Sequence, residues 1–168
     1  LVQSAKAGSI LEEEAALDAI ACDVINNMED DWLYIIGPGT TTRSIMKKLG
    51  LPNTLLGVDA ICKRSLAGSD LNEAQLLKLI EAKKTKIVVT VIGGQGYIFG
   101  RGNQQISAKI IKKVGKENII VIADKRKIVS LKGNPLLVDT GYDEVDKILT
   151  GYMQVITGIN ERLMLRVE

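Results

Sequence analysis

A chain of 168 residues, 46% apolar and 25% charged, is sized and composed for one soluble globular domain. Its net charge of +2, with acids and bases interspersed along its length, gives no electrostatic reason for a nucleic-acid or anionic-membrane partner. Histidine is absent, which excludes Ser-His and Cys-His catalysis, imidazole proton transfer and every histidine-containing metal site.

The elements follow in order. Ser9 with Glu12 forms a capping-box pattern, and Leu17, Ile20, Ala21, Val24 and Met28 recur at helical spacing, so a first helix is expected over 10–28. A short apolar strand over 32–36 runs into Gly37-Pro38-Gly39-Thr40-Thr41-Thr42. Ile45, Met46 and Leu49 then make the buried side of a second helix, stopped by Gly50 and Pro52. Strand, glycine turn and helix N-terminus in succession form a ready anion site, to which the three threonine hydroxyls add donors. No P-loop lysine follows, and the glycines do not have the dinucleotide-binding spacing.

Residues 54–58 read as the next strand, delivering Asp59 at its carboxyl end. Ser69 and Asp70 are expected to open a helix with Glu73 completing a second capping box and Leu76, Leu77 and Ile80 buried. An apolar β-branched run over 87–92 reads as a strand covered on both faces of a parallel sheet. It breaks into a loop containing Gly93, Gly94, Gly96, Gly100 and Gly102, interleaved with Gln95, Arg101, Asn103, Gln104 and Gln105. The glycines free the backbone for close approach to a ligand, and the polar side chains exceed what a connector needs.

Ser107 is then an N-cap and Gly115 a C′ residue, with Ile110, Ile111 and Val114 between them as the buried side. A strand over 118–123 ends at Asp124 and Lys125. A weaker element over 127–131, a short strand over 136–138 ending at Asp139, and a helix over 143–149 complete the alternation. Met153, Val155 and Thr157, then Leu163, Leu165 and Val167, alternate on either side of Gly158-Ile159-Asn160, the pattern of a terminal β-hairpin. The predicted fold is α/β: a single domain over 1–168 with a doubly wound, mostly parallel sheet, helices on both faces and that hairpin.

Parallel strands end on one side, where ligands bind. The expected rim therefore gathers Gly37, Gly39, Thr40, Thr41, Thr42, Asp59, Gly93, Gly94, Gln95, Gly96, Arg101, Asn103, Gln104, Gln105, Asp124, Lys125 and Asp139. Arg101 suits a bidentate phosphate contact, the threonine turn a second anionic group, and the aspartates sugar hydroxyls. This describes a phosphorylated, polyhydroxylated small molecule. No residue is assigned to catalysis or to a metal. Cys22 and Cys62 read as small buried hydrophobes in a reducing, cytoplasmic compartment, and no apolar run is long enough to cross a bilayer.

GPGTTT from Gly37, LLGVDA from Leu55, IGGQGYIFGRGNQQIS from Ile92, VGKENIIVIADK, PLLVDTG and GYMQVITG together resemble the carboxyl-terminal half of the ATP-NAD kinase family that includes the AcoX-type proteins. The resemblance implies ATP- and Mg-dependent phosphorylation of NAD to NADP in the full-length protein, with NAD or NADP as ligands. The family's Gly-Gly-Asp-Gly-Thr signature is missing here, and the chain begins at Leu1. It is therefore expected to be the C-terminal part of a longer protein, partnered by an N-terminal kinase domain and inactive as a kinase alone. A fainter similarity, of the GPGTTT turn and of Gly94-Gln95-Gly96-Tyr97-Ile98-Phe99, is to sugar-phosphate isomerase-like proteins. Gln95 and Tyr97 stand where that family has an acid and a histidine, so the alternative is a regulatory sugar-phosphate-binding or oligomerisation module without catalysis. A homodimer through the terminal hairpin is a further expectation.

Overall fold

The computed structural model describes residues 2–100, 102, 103 and 105–168. The first helix, α1 (Val2–Asn26), starts a full two turns before the expected boundary. Gln, Ala and Lys at its start carry helix propensity, so the Ser9 pattern lies inside the helix and caps nothing. Strand β1 (Trp32–Ile36) leads through the glycine turn to α2 (Thr40–Lys48), which ends at Leu49 and Gly50, the latter at φ +70°.

Three corrections follow. Residues 54–58 form no strand. The strand is β2 (Asp59–Cys62), and Asp59 starts it rather than ending it. Its carboxylate accepts hydrogen bonds from the Thr54 amide and hydroxyl and from the Asp70 amide, which ties together the loop before β2 and the chain after residue 68. An edge strand, β3 (Ser65–Gly68), then appears in a stretch with no strand expectation. Helix α3 (Glu73–Ala82) is capped by Asn72 and Gln75 in a reciprocal box, while Asp70 sits upstream at φ +48°.

Strand β4 (Lys84–Thr90) is shifted toward its amino end relative to the apolar run. Lys84 and Lys86 extend it while their ammonium groups lie 5.6 and 4.8 Å from the Trp32 ring centroid. The chain continues through β5 (Tyr97–Phe99), α4 (Ala108–Val114), a single 3-10 turn, β6 (Ile119–Ile122) and α5 (Lys125–Ser130). It closes with β7 (Leu137–Val138), α6 (Asp143–Leu149) and the hairpin of β8 (Gly151–Gly158) and β9 (Glu161–Val167). Ser107 caps α4 and Gly115 ends it at φ +89°, both as the sequence predicts.

The seven-stranded sheet has the order β3-β2-β1-β4-β6-β8-β9. Its four central strands, β1, β4, β6 and β8, are parallel; β2 and β9 flank them antiparallel, and β3 pairs antiparallel with β2. The period-two pattern buries both faces. Tyr34, Ile36, Val88, Ile122 and Ile156 pack with Ile20, Ala21 and Val24 of α1 and Ile45 and Met46 of α2. Leu33, Ile35, Ile87, Val89, Val121 and Val155 pack on the opposite side with Leu76 of α3, Ile110 and Ile111 of α4, and Val145 and Leu149 of α6. This is the doubly wound α/β architecture, with the terminal hairpin forming one edge.

Strands β5 and β7 form a separate two-stranded ladder, so Asp139 follows this small ladder, its amide bonded to the Phe99 carbonyl, rather than ending a strand of the main sheet. Leu136 also bridges to Val167, which covers the last residues of β9 and leaves 161–165 as the open edge. The hairpin turn is tied to α1 by buried Asp23, which accepts from the Asn160 amide at 2.9 Å and pairs with Arg162 at 2.6 Å.

Candidate functional site

Strands β1 and β4 are neighbours, but the chain leaves them in opposite directions. After β1 it enters α2 on one face, and after β4 it reaches α4 on the other. A crevice must open where adjacent connections diverge, which is where open α/β sheets bind ligands. A cleft of 570 Å³ lies there, lined by Gly39, Thr40 and Thr41 after β1, by Thr90 to Gly93 at the end of β4, and by Asp124 and Arg126 after β6. Glu13 and Leu17 of α1 form its outer wall.

The threonine turn is shaped by contacts beneath it. Gly37 continues the ladder by donating to the Val88 carbonyl, and a Cβ on it would stand 3.2 Å from that oxygen. Gly39 has φ +123°, and a Cβ there would meet the Thr90 methyl at 3.0 Å, so only glycine fits. The hydroxyl of fully buried Thr42 donates to the Gly39 carbonyl at 3.1 Å. Thr42 is therefore a brace, and only Thr40 and Thr41 line the cleft. No side chain caps α2, which leaves the amides of its first turn for a ligand.

Opposite them stands Arg126, the neighbour of the expected Lys125. Asp124 caps α5 through the Arg126 amide, and its other oxygen accepts from Arg126 Nε at 3.2 Å and Nη2 at 2.9 Å. Nη1 donates to the Ser9 carbonyl of α1 at 3.3 Å. The hydrogen bond to Asp124 raises the already high guanidinium pKa further. Both Asp124 oxygens are thus occupied, and the cleft carries a mounted cation. The signal for it was the Asp-x-Arg spacing after a strand end. Lys125 turns to Glu161 instead, at 3.1 Å; the Thr157 hydroxyl, first, and Lys125, second, hold the Glu161 carboxyl below its ordinary pKa.

The remaining expected residues disperse. Asp59 is at the same edge, since it pairs with Ile36, but it is 3% exposed and its oxygens are taken by Thr54 in the loop before it and by the Asp70 amide after β3. Gly94 and Gln95 border a separate depression next to Leu131 and Pro135. Gly96 sits at φ +95° against Leu131. Asn103 and Gln105 line another cleft, of 790 Å³, on the α3–α4 face. Asn103 Oδ1 accepts from the Gln105 and Ile106 amides at 3.1 and 3.0 Å. Arg101 and Gln104 lie outside the described residues. The described residues contain no group of three or more Asp, Glu or Cys placed to hold a metal ion, and no helix among them is long and apolar enough to cross a membrane.

Neither a curated protein nor a solved structure matches the chain. The family model for the ATP-NAD kinase C-terminal domain matches residues 29–167, from the turn before β1 to the end of β9, and so includes every strand and all but one of the helices that build the cleft. A match over that much of the chain means that this protein belongs to the ATP-NAD kinase C-terminal domain family.

Proposed function

We propose that this domain serves a longer ATP-NAD kinase family protein by binding a phosphate group of NAD, NADP or another nucleotide in the cleft between β1 and β4. The observation that carries the reading is the pairing, in one cleft, of the uncapped α2 N-terminus with the guanidinium of Arg126. Free helix amides and a fixed arginine are complementary to a phosphate from two sides. Thr40 and Thr41 add hydroxyl donors.

ATP and Mg belong to the kinase reaction that the family name implies. The carboxylates lining the cleft are Glu13 and Asp124, and the latter's oxygens are engaged by Arg126, so the described residues do not make a magnesium cage. No step is assigned to a metal here and no catalytic residue is assigned. In this reading phosphoryl transfer belongs to an N-terminal kinase domain in the cytoplasm, and this chain alone makes no NADP. Ile10 and Leu11 of α1 and Leu55 and Leu56 in the loop before β2 are more than half exposed, which suits contact with such a domain.

The test is a thermal-shift and calorimetry panel on the 168-residue chain with NAD, NADP, ATP, ribose 5-phosphate and glucosamine 6-phosphate. A ligand at 100 times its dissociation constant stabilises by about 2.7 kcal/mol. A response to NAD, NADP or ATP supports the nucleotide reading. A response confined to the sugar phosphates replaces it with the regulatory module, and no response to any sinks both. Arg126→Ala is expected to weaken binding about tenfold, the scale of one charge-assisted contact. Arg101→Ala, measured alongside, decides between the two arginines as the anchor.

A further inference from the structure

The two halves of α1 are held in different ways. Ile20, Ala21 and Val24 are buried against the sheet, whereas from Ala7 to Ala15 every residue is exposed. The exposed half contains Gly8, whose missing Cβ relieves no crowding, since nothing lies within 4 Å of that position. Glycine inside a helix is less favourable than alanine, so α1 is intrinsically weak where it is also unpacked. Among the described residues a single hydrogen bond ties 7–15 to the rest of the protein, from Arg126 Nη1 to the Ser9 carbonyl at 3.3 Å.

That bond uses the same guanidinium that faces the first cleft, between β1 and β4. Asp124 takes the Nε and Nη2 edge, which leaves the Nη1 side for a ligand, and this is the side bonded to Ser9. About one turn beyond Ser9, Glu13 stands in the wall of the cleft with Thr40, Thr41 and Arg126. The hydrogen bond to Asp124 is the main cause of the raised Arg126 pKa, and the charges of Glu13 and Glu12 add to it. A phosphate at Arg126 would therefore compete with the Ser9 carbonyl and bring negative charge beside Glu13, where like charges repel.

We propose that the amino-terminal half of α1 is a strap over the first cleft, held by the Arg126–Ser9 bond and displaced when a phosphate takes Arg126. The contact is autoinhibitory, because Glu13 opposes the anion that Arg126 and the α2 amides attract. The strap rests on the reading of the first cleft as a phosphate site, and it adds that filling the cleft is passed on to the exposed half of α1, which carries Ile10 and Leu11.

The experiment follows amide chemical shifts and hydrogen exchange of the 168-residue chain as pyrophosphate is added. Pyrophosphate is expected to move Thr40 and Thr41 and to speed exchange of the amides over 9–14 by about threefold or more, the scale of one lost hydrogen bond, while those over 20–26 keep their rates. Asn103 and Gln105, in the second cleft on the α3–α4 face, are the reference and should not move. Arg126→Ala should speed exchange over 9–14 by a similar factor with no ligand present. Glu13→Gln, an exposed change, should lower the pyrophosphate dissociation constant about two- to fivefold, the scale of one exposed charge pair. Shifts at Thr40 and Thr41 with unchanged or slower exchange over 9–14 would overturn the strap and leave the phosphate reading standing, and silence at Thr40 and Thr41 would overturn both. Unchanged exchange in ligand-free Arg126→Ala, or an unchanged or weaker constant in Glu13→Gln, would also overturn the strap.

Discussion

The start of the chain that runs from β4 to α4 lines the first cleft and its end lines the second, and the two are built differently. The first is shaped by the sheet itself: Gly37 and Gly39 press on Val88 and Thr90, buried Thr42 braces the turn, and the open amides are what packing leaves over. The second is shaped by side chains that bond to backbone, namely Asn72, Asn103 and Ser107, each holding one loop or helix start. One therefore presents bare backbone donors and a cation, and the other side-chain amides, the Glu73 carboxylate and the Tyr142 ring. A rim formed by one sheet edge can thus carry two chemistries, because each cleft takes its character from whatever satisfies its helix ends.

The sharpest way to break this contrast is Gly39→Ala. A side chain at φ +123° with a methyl group 3.0 Å away should cost about 2 to 3 kcal/mol, read as a lower urea midpoint, and should abolish pyrophosphate shifts at Thr40 and Thr41. The Asn103 and Gln105 amide resonances should stay in place; their movement would show that the clefts are not independent. The reciprocal change, Asn103→Ala, leaves the Gln105 and Ile106 amides without their acceptor and should cost about 2 kcal/mol while sparing the first cleft. Loss of the pyrophosphate shifts in Asn103→Ala would refute the division.

Gly96→Ala probes the chain between them. At φ +95°, with a Cβ 3.3 Å from Leu131, it should destabilise by about 1 to 2 kcal/mol without selecting either cleft. A stability equal to the parent's in urea would mean that this loop absorbs the change. The smallest effect concerns pH. Because the folded state depresses the Glu161 pKa, its contribution is present above the unfolded value of about 4.3 and is lost as pH falls through the folded one. Urea midpoints should fall less steeply between about pH 5 and pH 3 in Glu161→Gln than in the parent. Parallel profiles would remove Glu161 from the account.

The α/β alternation, the apolar parallel strands, the Ser107 and Gly115 helix ends and the terminal hairpin were legible in the chain because each rests on local pattern: period two, period 3.6 or a capping residue. So was the threonine turn, since glycines flanking a strand end need no partner to be recognised. The direction of β2 was not, because a strand's sense depends on which neighbour it pairs with, and Asp59 reaches the rim from the opposite end of its strand. Nor was the choice of Arg126 over Lys125, which turns on α5 being a helix that puts Arg126 over the cleft and Lys125 away from it, against Glu161.

The sequence by itself determined the central strands and their buried faces, most of the helices and the family resemblance. Only the tertiary structure decided that one expected rim is two clefts, because hydrogen-bond acceptors such as Asp59, Asp124 and Asn103 look alike along a chain. They become ligand groups or internal braces according to which backbone amides the fold brings to them.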